Sequence, residues 1–175
     1  MSVKIGESAR SALMNAVGRS TTSIEVKTDA DGRHRIVCDG FILLVDSGSK
    51  ALGELPRAFV IDDGKAPVEL DHTATRMCVG FVSGYMKASA SNTQQYVDMH
   101  SEHADKGAST LLSLYASAAD GNADSTRFER ILRSTQNDRT QAMAAKAQVQ
   151  LFQAAAGSLD AAVQRLDEAY PPSNA

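Results

Sequence analysis

The chain has no tryptophan, and aromatic residues fill only 5% of its 175 positions. A core without large rings must rest on Ala, Leu, Val, Ile and Met, a composition suited to close helix–helix packing. Cysteine is nearly missing too: Cys38 and Cys78 are the whole supply. Two cysteines make no disulfide framework. The opening MSVKIGESARSALMNAVGRS contains no apolar h-region of the kind a secretory signal needs. Both cysteines are therefore expected as reduced thiols in a cytoplasmic protein. The longest apolar run, MCVGFV at 77–82, is far too short to cross a bilayer, so no membrane role is expected. A strong charge excess is also absent, with a net charge of −3. That argues against a general nucleic-acid binder, which carries a marked basic surplus.

The familiar signatures of catalysis and cofactor binding are absent as well. There is no G-x-S-x-G nucleophile elbow, no G-x-G-x-x-G, and no complete Walker loop. DDGKAP has Gly-Lys without the upstream glycine or the following hydroxyl, and SGSKAL fails in the same way. Ser47 and Ser49 in DSGSK, and the pair Asp62–Asp63, are accounted for by turn chemistry. Cys38 and Cys78 fall on apolar faces and read as core. No cofactor is expected.

What is present is an ordinary globular composition, 43% hydrophobic and 22% charged. Residues 4–18 repeat Ala9, Ala12, Leu13, Ala16 and Val17 at helical spacing, with Gly18 as a stop. The next fifty residues change period. TSIEVKT alternates, and RHRIVC and FILLV flank Asp39-Gly40, a strong hairpin signal. A two-residue turn there pairs Cys38 with Phe41, Val37 with Ile42 and Ile36 with Leu43, all apolar. For the preceding hairpin, pairing Glu25 with Arg35 and Ile24 with Ile36 satisfies charge and burial, with a bulge near Gly32. FILLV and AFVI are apolar throughout, as in strands buried on both faces. A short helical turn is expected around Ala51–Leu55, and APVEL alternates with Val68 and Leu70 inward.

From residue 72 the spacing is helical. A buried helix carries Met77, Cys78, Phe81, Val82, Tyr85 and Met86, with Gly80, Gly84 and Ala88 at every fourth position. Further helices are expected over 92–119, 124–156 and 158–170, the last opened by Ser158 after Gly157. The predicted fold is α+β: an N-terminal helix, an antiparallel β-meander of about five strands, then a C-terminal bundle of three to four α-helices. ASASN (88–92) marks a boundary between a domain at 1–90 and a helical region at 91–175, packed on it or on a partner. Within 124–156 a heptad seam runs along Phe128, Thr135, Ala142, Val149 and Ala156, with Ile131, Asp138, Ala145 and Phe152 beside it. Thr135 and Asp138 make its middle polar. The partner-binding candidates on this seam are Phe128, Ile131, Val149 and Phe152.

The most chemical-looking phrase is VDMHSEHADK, 97–106. His100 and His103 are neighbours on one helix face, whereas Glu102 and Asp98 point elsewhere. Helix-borne zinc sites more often space histidines by four, as in H-E-x-x-H. A complete metal site here needs a third ligand from another segment, with His72 or Asp71 the candidates. The plainer reading is a partly buried, hydrogen-bonded histidine, because His100 falls between Val97 and Ala104 on an apolar seam. Arg127, Arg130 and Arg133, with Arg139 beyond, read as a solvated face.

The order helix, three strands, helical turn, two strands, helix across 4–90 resembles class I type III secretion chaperones. The resemblance implies a small acidic dimer that holds a protein segment in extended form. With no convergent polar constellation, the functional expectation is a small cytoplasmic, non-catalytic interaction protein, a chaperone or adaptor that self-associates and holds a protein partner. The competing readings are a metal-dependent hydrolase using His100, His103 and His72, and an exported virulence factor lacking a classical signal.

Overall fold

The structure, a computed structural model, describes residues 25–29, 33–38, 41–49, 51–61, 66–119 and 124–171. Five strands form one antiparallel sheet in sequence order: β1 (Glu25–Thr28), β2 (His34–Cys38), β3 (Phe41–Asp46), β4 (Arg57–Ile61) and β5 (Val68–Glu69). Two long helices follow, α1 (His72–Ala119) and α2 (Ser125–Ala169).

The β2–β3 register is the one the Asp-Gly dipeptide dictates: Cys38 opposite Phe41, Val37 opposite Ile42, Ile36 opposite Leu43. The β1–β2 register differs from expectation. Val26 pairs with Ile36 and Lys27 with Arg35, two residues from the expected match. A slip of two keeps every side chain on its face, so hydrophobic alternation cannot distinguish the two registers. Local polar contacts do. Arg35 donates to Asp29 at 2.8 Å, and His34 Nδ1 lies 3.0 Å from Thr28 Oγ1. The bulge expected near Gly32 lies outside the described residues.

One sheet face is fully buried through His34, Ile36, Leu43, Val45 and Ala58. The other is only half-buried at Val37, Ile42, Leu44, Phe59 and Ile61, which corrects the expectation of burial on both faces. Val68 is exposed on the two-residue edge strand, whereas Leu70 is buried. The β3–β4 connection makes a hydrogen-bonded turn at 51–53, within the stretch where a short helical turn was expected. It is closed by Glu54 N–H to Ser49 O at 3.0 Å and by Ser49 N–H to the Glu54 carboxylate at 3.1 Å. Gly48 enters it with φ of +65°, and a Cβ there would meet Glu54 O at 2.8 Å.

The helical part of the predicted fold is overturned. Among the described residues there are two helices, not three to four, and the expected N-terminal helix at 4–18 lies outside them. The predicted break at 88–92 contains no Gly or Pro, and Ala and Ser sustain a helix well. Gly157 was expected to end a helix, but α2 continues through it. Its cost, about 1 kcal/mol relative to Ala, is offset by packing on either side, where Ala156, Leu159 and Ala162 are buried. Asp71 caps α1 by accepting from Ala74 N–H at 2.8 Å, and Asp124 caps α2 by accepting from Arg127 N–H at 2.9 Å.

The chain forms two compact units, residues 1–87 with 154–175, and residues 88–153. In the first, the two helix ends run antiparallel: Arg76 pairs with Asp167, and Ser83 and Lys87 with Asp160. Arg165 donates to Ser47 O at 2.6 Å, joining α2 to the sheet's β3–β4 loop. Cys78, Val79, Val82 and Met86 from α1, and Leu159, Ala162 and Leu166 from α2, are buried in this unit. In the second, α1 and α2 again pair antiparallel, with Ala90, Val97, Ala145 and Val149 as a buried cluster and Phe152 packed against it.

Two predictions follow from this unit-by-unit packing. Gly48→Ala combines a strained φ with backbone oxygens in the way, and is expected to cost more than about 1 kcal/mol; chemical denaturation followed by circular dichroism measures it. Burial lowers the pKa of His34 below its ordinary value. The unfolded chain therefore takes up a proton near pH 6.5 that the folded chain resists, and stability falls as pH drops below about 6.5. The unfolding midpoint of the wild type is expected to decline from pH 7 toward pH 5 more steeply than that of His34→Gln.

Candidate metal centre

The site lies within the 88–153 unit. His100 and His103 stand one turn apart on α1, and Asp138 reaches them from α2. The metal-ligating atoms of these three residues all lie within 4.8 Å of one another. His100 Nδ1 is 2.7 Å from Asp138 Oδ1, and the two side chains are only 13% and 15% exposed. His103 is exposed, its ring centroid 6.3 Å from that of His100. The Tyr96 ring meets His100 edge-on at 4.2 Å and steadies its orientation.

The surrounding sequence explains the placement. His100 sits between Val97 and Ala104, both buried, so its ring is carried onto the shared face of the helix pair. Asp138 lies on the α2 seam, where an apolar residue would otherwise stand. Two of the three acids of the phrase are engaged elsewhere: Glu102 with Lys106 at 2.5 Å, and Asp98 accepting from Gln94 at 2.8 Å. The hydrogen bond from Lys106 holds the Glu102 carboxyl below its usual range, with weaker help from the charges of Lys106 and His103.

Thr135 stands one turn before Asp138 and is buried, and its Oγ1 has no hydrogen-bond partner among the described residues. Across from it is Gly107, where an added Cβ would collide with that hydroxyl. The two backbones approach closely here because α1 supplies a glycine. Gly107, Thr135, His100 and Asp138 thus form one polar stretch within an otherwise apolar seam.

Of the residues read from sequence as metal candidates, His100 and His103 come together, and the third place is taken by Asp138. His72 belongs to the other unit, where it stacks on Tyr170 at 4.6 Å, and Asp71 caps α1. The signal for Asp138 is its acidic side chain at an apolar heptad position, where with Thr135 it makes the middle of the seam polar. Among the partner-binding candidates, Val149 is buried and Phe152 packs against the same cluster, whereas Phe128 and Ile131 are half-buried. Gly80 and Gly84 face open space, so their spacing does not serve a close helix approach among the described residues. Arg127, Arg130, Arg133 and Arg139 are all exposed, with Glu129 3.8 Å from Arg133.

In the sheet-bearing unit a cleft of about 650 Å³ is lined by Arg33, Arg57, His72 and Tyr170 among others. Its guanidinium groups are matched by acids: Arg57 makes two bonds to Glu69, at 2.6 and 2.8 Å, and Arg33 meets Asp46 at 3.1 Å. The cleft therefore offers no surplus charge to an anionic ligand. No helix among the described residues is long and apolar enough to cross a membrane. Comparison with protein-family models, with curated proteins and with solved structures finds no match.

Gly107→Ala is expected to destabilise the protein by roughly 1–3 kcal/mol through overpacking against Thr135. Combining it with Thr135→Ala is expected to recover part of that loss, measured by thermal unfolding as a double-mutant cycle.

Proposed function

We propose that the chain is a small non-catalytic interaction protein of the cytoplasm, of chaperone or adaptor type, that self-associates through its 88–153 unit and holds a protein partner. The observation that carries this reading is that α2 is apolar on two opposite sides within that unit. Ala145 and Val149 are buried, while Met143 and Leu151 are 74% and 71% exposed. Met143, Ala147 and Leu151 recur every four residues and form one stripe, roughly half a turn from the buried one. On α1, Leu112 and Tyr115 are exposed to a similar degree, 72% and 73%. Two paired helices bury one face each, and large apolar side chains left outside favour contact with another chain.

The protein is expected to elute as a dimer or larger species in size-exclusion chromatography with light scattering. Met143→Glu with Leu151→Glu is expected to shift it to monomer without loss of helicity. A wild-type monomer up to its solubility limit overturns the self-association reading. The competing metal-dependent hydrolase reading draws on His100 and His103, but Glu102, the acid nearest the role of general base, is engaged by Lys106. The group is thus better suited to holding an ion than to hydrolysis.

A further inference from the structure

We propose that His100, His103 and Asp138 bind one divalent transition-metal ion of the zinc class, fastening α1 to α2 within the 88–153 unit. The inference is independent of the self-association reading.

Three observations carry it. First, the ligand atoms are nearly assembled, all within 4.8 Å of one another. Metal bonds of about 2.0–2.2 Å to imidazole nitrogen and carboxylate oxygen span such a set after small side-chain rotations. Second, the ligands come from two helices separated in sequence, with Asp138 held by the fold rather than by local spacing. Third, His103 has no part in satisfying burial. The half-buried imidazole of His100 and carboxylate of Asp138 already answer each other at 2.7 Å. An arrangement built only for that purpose needs no second imidazole, yet an exposed one stands beside it, open to an ion arriving from solvent.

The donor set also selects the ion. Two imidazoles and one carboxylate suit Zn²⁺, Co²⁺ or Ni²⁺, whereas Mg²⁺ and Ca²⁺ take oxygen ligands. Three protein ligands leave a coordination position for water. Because α1 supplies two ligands and α2 one, the ion cross-links the pair and stabilises the folded form that holds it.

The test uses the full chain stripped by chelator, titrated with Co²⁺ by absorbance and with Zn²⁺ by calorimetry. One ion per chain is expected, with Co²⁺ d–d bands, no thiolate charge-transfer band, and no binding of Mg²⁺. His103→Ala and Asp138→Asn are each expected to weaken Zn²⁺ at least about tenfold, while His72→Ala leaves it unchanged. Zn²⁺ is expected to raise the unfolding midpoint of the wild type but not of His103→Ala. Asp138→Asn places a change in a half-buried position, so His103→Ala, at an exposed one, is the deciding variant. Millimolar or weaker affinity, a thiolate band, or wild-type binding by His103→Ala overturns the proposal.

Discussion

Two helices lying side by side share one narrow face, and whatever is placed there must fit there. That constraint governs the 88–153 unit. A mostly alanine-and-valine seam lets the backbones come close, and Ala90, Val97, Ala145 and Val149 fill it without aromatic bulk apart from Phe152 at its margin. Where the seam turns polar, each group is placed against another. His100 faces Asp138, and Thr135 fits against Gly107 because no Cβ intervenes. A lone buried carboxylate would be costly; opposite an imidazole it becomes a fixed feature of the pair.

In the sheet-bearing unit the same helices are joined by charge rather than by small residues. Asp160 collects Ser83 and Lys87, and Asp167 takes Arg76. These partners hold both carboxyls below their usual range, through hydrogen bonds first and charge second. The pairs are exposed, so each contributes modestly to stability. Their larger effect is on register: a slip of one turn would separate Arg76 from Asp167 and both donors from Asp160 together.

How much was legible depended on whether the signal was local. Asp39-Gly40 set the β2–β3 pairing, since a two-residue loop leaves one register that keeps the apolar faces together. The β1–β2 pairing was misread by two residues, because a two-residue slip preserves alternation and the choice rested on Arg35 finding Asp29 instead of Glu25. Helix ends were the weakest reading. Gly157 and the Ala-Ser stretch at 88–92 look like stops, but neighbouring buried residues carry the helices through both. The pairing of His100 with Asp138 was beyond reach for a different reason. Spacing shows that each occupies an apolar seam, yet says nothing of which positions on two helices will meet. Of the element order that resembles secretion chaperones, the opening helix at 4–18 lies outside the described residues, and the closing helix runs on to Ala119 instead of ending near residue 90.

The bond from Arg165 to Ser47 joins residues 118 positions apart, and the first unit is completed only by the chain's last stretch. The His100–Asp138 pair spans 38 positions. Closing the shorter loop costs less entropy, so the contact of His100 with Asp138 is reached more readily than that of Arg165 with Ser47. The sheet-bearing unit is therefore complete only once residues 154–169 are also in place.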